Sequence, residues 1–241
     1  TVGAGLVQIY TASENRLALQ ELLPEAIISC YDSYDDSQLS HLLDWADVVC
    51  IGCGLGMGQI SEKILKNVLK NVSCPCVIDA DGLNLLSRNI ELLNQCCAPV
   101  ILTPHMKEMS RLTGWSIDTI MEDRFQALDQ IIKQSGPDTK SSIICVLKDS
   151  RTVVAQTNRQ RFVNLAGNNS MAKGGSGDVL AGTIAGLLAQ HMAPFEAAAV
   201  GVFLHACGGD EAKKSKGSYS VLARDLIQGM ADAMKNAKEC R

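Results

Sequence analysis

Met171-Ala172-Lys173-Gly174-Gly175-Ser176-Gly177-Asp178-Val179-Leu180-Ala181-Gly182 decides how this sequence is read. Three glycines in four positions lead into a single carboxylate, and an almost wholly apolar segment of helical length follows. Glycine lets the backbone turn sharply and lets amides approach a ligand with no Cβ in the way. A helix opening near Gly177 leaves its first N–H groups unpaired and aimed at the loop. Those amides and the positive end of the helix dipole make an anion site. Asp178 stands at its mouth, a base suited to activating a hydroxyl for attack on a phosphoryl group. Taken alone, the run reads equally as a glycine-rich loop in which Asp178 is a plain N-cap. Two other loops are excluded. A P-loop needs Gly-Lys-Ser/Thr after its glycines, and here Lys173 precedes them. The dinucleotide fingerprint fails at Gly52-Cys53-Gly54-Leu55-Gly56-Met57-Gly58, where Met57 replaces the third glycine.

Outward from this run, short apolar stretches alternate with segments of helical length. Strands are predicted at Leu6–Tyr10, Ala26–Cys30, Asp47–Ile51, Cys76–Asp79, Pro99–Leu102, Ile143–Lys148 and Thr152–Ala155. The segments between them carry helical spacing, as in Ile60, Ile64, Leu65, Val68 and Leu69. That alternation predicts an α/β fold with a largely parallel sheet. After Gly177 the pattern becomes helical, over Val179–Gln190, Pro194–Ala212 and Leu222–Asn236, with Pro194 placed where a first helical turn tolerates proline. Ser135 to Ser142 is polar and reads as a surface loop rather than a domain linker.

Polar clusters follow the strands, where open α/β sheets bind ligands. They are the Gly52–Gly58 loop, Asp79-Ala80-Asp81-Gly82-Leu83-Asn84, Thr103-Pro104-His105-Met106-Lys107-Glu108, Lys148-Asp149-Ser150-Arg151-Thr152, and Gly174 to Asp178. Each alone reads equally as a cap or turn: His105 could cap the next helix, Glu108 could favour its dipole, and Asp79 and Asp81 could close strands. Five on one rim describe a site.

Composition bounds the rest. The chain has 241 residues, 46% hydrophobic and 20% charged, in the range of a globular protein. A net charge of −4 leaves no basic footprint, so nucleic acid is not an expected partner. The ten cysteines lie in apolar runs such as Val48-Val49-Cys50-Ile51, which suits reduced, buried thiols in a cytosolic protein. Cys50-Ile51-Gly52-Cys53 has the CxxC spacing without a second copy, which disfavours zinc or redox chemistry. No signal peptide is expected at the start, and the apolar stretch from Val179 to Ala189 is too short to cross a membrane.

Gly3-Ala4-Gly5-Leu6-Val7, Ile51-Gly52-Cys53-Gly54-Leu55-Gly56, Asp79-Ala80-Asp81-Gly82-Leu83-Asn84, Leu102-Thr103-Pro104-His105-x-x-Glu108-Met109, Gly167-Asn168-x-x-Met171-Ala172-x-Gly174-Gly175-x-Gly177-Asp178-Val179-Leu180 and His205-x-x-Gly208-Gly209-Asp210 occur in that order. In these motifs the chain resembles the ADP/ATP-dependent NAD(P)HX dehydratases of the ribokinase-like superfamily, over nearly its whole length. The Thr-Pro-His-x-x-Glu and Gly-Gly-x-Gly-Asp runs together make the resemblance specific. It implies a three-layer ribokinase-like α/β sandwich with a largely parallel central sheet. It also implies a metabolite-repair enzyme, a lyase on a kinase fold. The 6-hydroxyl of hydrated NADH or NADPH would be phosphorylated by ADP or ATP, phosphate would leave, and the ring double bond would return.

By the same resemblance Asp178 is the base on that hydroxyl, and Gly177 with Gly174 and Gly175 forms the anion hole. Lys148, Asp149, Ser150, Arg151 and Thr152 contact the nucleotide. Gly56 and His105, with Asp178, contact the hydrated cofactor, and Glu108 organises Mg2+. An NAD(P)HX epimerase is the functional partner, fused upstream in many bacterial members. A homo-oligomer is expected. The family carries a strand, a glycine-rich loop and a helix before the point where this chain opens at Thr1-Val2-Gly3. Residues 1–241 are therefore expected to form one such domain lacking its N-terminal strand and helix. Asn169-Ser170 also departs from the family, which often has glycine at the second of these positions. A ribokinase-like kinase of a small hydroxylated metabolite and a nucleotide-binding module inactivated by truncation are the alternative readings.

Overall fold

Parallel strands covered on both faces need apolar side chains at every position. Three short segments of this sequence meet that demand: β4 (Cys76–Ile78), β5 (Val100–Leu102) and β6 (Ile143–Leu147), in which every residue is buried. In the computed structural model, which describes residues 2–133, 142–157 and 160–239, they form the centre of a six-stranded sheet. β3 (Val49–Ile51) precedes them, and β7 (Val153–Gln156) and β8 (Arg161–Val163) follow, in the order β3-β4-β5-β6-β7-β8. Pairing is parallel from β3 to β6 and antiparallel from β6 to β8.

Successive residues of a strand face opposite sides of the sheet. Cys76 and Ile78, Val100 and Leu102, and Ile143, Cys145 and Leu147 enter one core. Val77, Ile101, Ile144 and Val146 enter the other. The first core is closed by α2 (Asp36–Trp45), α3 (Gln59–Asn71), α4 (Ala80–Leu86), α5 (Met106–Thr113), α6 (Ile117–Glu122) and α7 (Arg124–Ile132). The second is closed by α8 (Ser176–Leu188) and α9 (Pro194–Lys216). α10 (Ala223–Glu239) packs on α9. The result is the expected three-layer α/β sandwich.

All seven predicted strands are present, with shifted ends. β1 (Gln8–Ala12) and β2 (Ile27–Tyr31), which flank α1 (Arg16–Leu22), differ in placement: they pair parallel with each other in a separate two-stranded sheet. Neither strand contains a fully buried residue, so no double-sided apolar run draws them into the central layer. β8 was not foreseen, because Arg161-Phe162-Val163 is too short and too polar to read as a strand without its partner β7. The predicted loop from Ser135 to Ser142 lies, but for Ser142, outside the described residues. Pro194 occupies the first turn of α9 as expected. No described helix is long and apolar enough to cross a membrane.

Candidate functional site

The parallel pairing of β5 and β6 continues past both strands. His105 and Lys148 form an isolated parallel bridge, and the Lys148 amide donates to the Pro104 carbonyl at 2.8 Å. Backbone hydrogen bonds thus fix where the lysine leaves the sheet. Its ammonium donates to Asp79 Oδ1 at 2.6 Å and lies 4.0 Å from Glu108 Oε2. Asp79, directly after β4, is 1% exposed. It occupies the N-cap position of α4, yet its side chain makes no capping bond and turns to the lysine instead. Removing either partner would leave the other buried charge without compensation.

The N-terminus of α8 stands against this pair. A Cβ on Gly177, the second residue of the helix, would lie 3.1 Å from Lys148 Nζ and 3.5 Å from Asp79 Oδ2. Gly175 is the N-cap, in the left-handed region at φ 85° with no side chain to offer, so α8 begins at Ser176 and Asp178 is its third residue. The N-cap reading of Asp178 fails here: its exposed carboxylate sits in the first turn, beside unpaired amides it does not cap. Donor atoms of Asp178, Asp79 and Cys53 lie within 4.8 Å of one another. The cysteines among the described residues are free thiols, but Cys50, Cys53 and Cys97 are exposed rather than buried as expected, because they stand on an outer strand or in loops that no layer covers.

His105 and Glu108 form a reciprocal capping box at the start of α5. The amides of Lys107 and Glu108 donate to His105 Nδ1 at 3.1 and 3.2 Å, and the His105 amide donates to Glu108 Oε2 at 2.8 Å. The capping alternative for His105 therefore holds, and Nε2, on the half-exposed ring, lies 3.4 Å from Glu108 Oε1. Burial pushes the Glu108 carboxyl up, against the His105 amide bond and the nearby Lys148 charge, which pull it down.

The glycine loop after β3 is pressed onto the same rim. Gly52 has φ 120°, and a Cβ there would lie 1.9 Å from the Asp79 carbonyl oxygen. Asp81 Oδ2 accepts from the Gly56 amide at 2.8 Å, fixing the loop at a residue with φ 79°. Only glycine meets such a combination of contact and backbone without strain.

The remaining nucleotide-contact candidates lie in the turn from β6 to β7, engaged outside the Lys148 cluster. Asp149 pairs with Arg124 at 2.8 Å, Arg151 donates to the Leu165 carbonyl at 3.0 Å, and Thr152 donates to the Asp149 carbonyl at 3.1 Å. Ser150 is exposed in that turn. Gly174 is open to solvent, and Gly175 backs onto Ala223. The structure thus brings together Lys148, Gly177, Asp178, Glu108 and His105, with Gly56 held from below through Asp81. It adds Asp79, which sequence reading marked as a strand-end polar residue but gave no role. The signal was a carboxylate directly after a wholly apolar strand.

A largely parallel α/β sandwich with a lysine and a helix N-terminus converging at the carboxyl ends of its parallel strands defines a ribokinase-like protein. Within that class the chain belongs to the NAD(P)H-hydrate dehydratase family, which residues 1–231 match. It is 34% identical over 236 residues to an ADP-dependent (S)-NAD(P)H-hydrate dehydratase of Enterococcus faecalis, covering 97% of this chain and 76% of that protein. It is 38% identical over 226 residues to a bifunctional NAD(P)H-hydrate repair enzyme of Coxiella burnetii, covering 94% of this chain and 44% of that protein. Against the bifunctional relatives it thus spans less than half of their length. The solved ADP/ATP-dependent NAD(P)H-hydrate dehydratase of Bacillus subtilis, co-crystallised with ATP/Mg2+ and soaked with CoA, superposes with a TM-score of 0.81 at 27% identity, covering 98% of this chain and 82% of that one.

Proposed function

We propose that this chain restores hydrated NADH and NADPH, in the 6S form, to the intact cofactors with ADP or ATP, acting as a lyase through a phosphorylated intermediate. The observation that carries the reading is the meeting of Lys148, Asp79, Gly177 and Asp178 at one point of the rim. The named activities of its relatives support it.

Asp178 accepts the proton of the 6-hydroxyl as that oxygen attacks the terminal phosphorus of the nucleotide. AMP leaves from ADP, or ADP from ATP. Loss of phosphate from C6 and of a proton from the neighbouring ring carbon restores the double bond. Phosphoryl transfer of this kind depends on position and charge neutralisation more than on covalent chemistry. Lys148, held by Asp79, meets phosphate oxygens as a point charge, and the amides of Gly177 and its neighbours receive the transferred group. Gly174, Gly175 and the turn from Asp149 to Thr152 line the nucleotide. His105 Nε2 and the Gly56 loop face the hydrated ring.

The donor set fits Mg2+, which takes one or two carboxylates together with phosphate oxygens and water. Asp79 and Asp178 bring carboxylate oxygens within 4.8 Å of each other, and Glu108 stands 4.0 Å from Lys148 on the same rim, so these are the carboxylates that would serve the ion, which would neutralise charge between the phosphates. Free thiols among the described cysteines support work in the cytoplasm, beside an epimerase that interconverts the two forms of the hydrate.

Incubating the protein with hydrated NADH and either nucleotide, while following NADH absorbance, tests the reading. Restoration of NADH with stoichiometric release of phosphate is expected. A stable phosphorylated product would instead make the protein a kinase, and nucleotide binding with no product would make it a binding module.

A further inference from the structure

α9 carries a polar segment on the side that meets the chain leading into α8. The Asp210 carboxylate accepts from the Gly167 amide at 3.2 Å and from Asn168 Nδ2 at 2.7 Å. Asn168 Oδ1 in turn accepts from the Ser170 amide at 3.0 Å, which folds the segment into a short helical turn. Gly209 leaves a notch: a Cβ there would lie 2.3 Å from Met171 Sδ, so the Met171 side chain lies where any larger residue would stand. At the far end of the segment, His205 Nε2 and the Ser176 hydroxyl lie 3.4 Å apart in a hydrogen bond. His205 is 8% exposed. Burial, aided by the charge of Lys148, pushes its imidazole down to about 4 against a hydrogen bond with the Ser176 backbone. It is therefore neutral at physiological pH and brings no charge of its own to the anion site.

Two side chains five residues apart on one helix thus grip both ends of the ten-residue run from Gly167 to Ser176, whose glycines at 167 and 175 have positive φ and would otherwise act as free joints. We propose that His205 and Asp210 are positioning residues, which fasten this run to α9 and so set where the Gly177 amide stands relative to Lys148. The inference depends on the reading of Gly177 as a phosphoryl-binding amide. Neither side chain need touch substrate. A misplacement of about 1 Å at a reacting centre can cost on the order of 100-fold in rate.

The test is a double-mutant cycle between His205→Leu and Ser176→Ala, with His205→Gln as the conservative variant and Asp210→Ala at the other anchor. The readouts are kcat, KM for hydrated NADH, the ATP dissociation constant and Tm. Each single change is expected to lower kcat about 10- to 100-fold while KM for hydrated NADH stays within about twofold. The double variant is expected to be no worse than the poorer single one, because both cut the same link. His205→Gln, which keeps a hydrogen-bonding group, is expected to recover most of the rate. Unchanged kcat, additive losses, or a uniform loss with a lowered Tm that His205→Gln does not relieve would overturn the proposal. If the unaltered protein restores no NADH with either nucleotide, the proposed activity fails separately. The positioning role is then decided by ATP affinity, which should weaken about tenfold and non-additively in the same cycle and which, if unchanged, overturns it. If His205→Leu does not fold, Ser176→Ala and His205→Gln carry the same comparison.

Discussion

β4, β5 and β6 bury every side chain they have, whereas β1, α1 and β2 bury none completely. The candidate site residues follow that divide. Asp79, His105 and Lys148 each lie one to three residues beyond a strand that cannot move without opening two cores. In the β1–β2 unit Leu17 and Leu22 are 75% and 76% exposed, and none of the site geometry depends on them. Placing a lysine ammonium within hydrogen-bond reach of a buried carboxylate and a helix N-terminus demands a support whose backbone is fixed by packing. The central sheet supplies it and the outer ribbon does not.

The largest effect should come where that support meets chemistry. Asp178→Asn should lower kcat about 100- to 10,000-fold while ATP affinity changes little, because the amide keeps the size of the side chain but cannot accept the proton. A near-normal rate would show that the rim holds a helix start and no base. The contrast between the two regions is measured most directly by paired truncations in urea unfolding. Ile144→Ala, in the wholly buried β6, should cost about 4 kcal/mol. Leu22→Ala should fall within about 0.5 kcal/mol. Similar costs would erase the distinction.

Gly52→Ala sharpens it, since the added methyl would meet the Asp79 carbonyl oxygen at 1.9 Å on a backbone of φ 120°. A loss of about 3 kcal/mol in thermal or urea unfolding is expected, with a weakened Lys148–Asp79 pair as its functional echo. The smallest effect is on pH dependence. His205 titrates near 4 in the folded protein against 6.5 unfolded, so the unfolded chain binds the extra proton. Stability is full above pH 6.5 and falls as pH drops toward 4, by at most roughly 3 kcal/mol. Glu108 acts in the opposite sense: its raised carboxyl favours the folded state at low pH and loses that advantage as pH rises above 4.5. Urea unfolding between pH 4 and 7 should show the His205 slope diminished in His205→Gln.

Much of this was legible in the sequence. Uninterrupted apolar runs such as Ile143 to Leu147 can hardly be anything but central strands, and the glycines before Asp178 announced a helix start. What stayed hidden was non-local. The Lys148–Asp79 pair joins residues 69 positions apart, and neither side chain carries a local signal for it. The isolation of β1 and β2 from the sheet likewise depends on which neighbours they find, and period and propensity do not encode neighbours. His105 shows a subtler gap: a cap and a place on the rim are not rivals, since Nδ1 caps α5 while Nε2 stands 3.4 Å from Glu108 Oε1 on a half-exposed ring.

The alternation of side chains along the strands has a consequence for how such a protein can change length. Leu147 points into one core, so Lys148 takes the opposite parity, that of Ile144 and Val146, and emerges on the layer where α8 begins. Asp79 follows Ile78 by the same count on β4, two places along the sheet with β5 between. A single residue gained or lost within β6 would send the ammonium to the wrong side of the sheet and exchange the two cores at every position along the strand. Substitution within these strands is a matter of degree, but their residue count behaves as odd or even, and only one of the two yields a site.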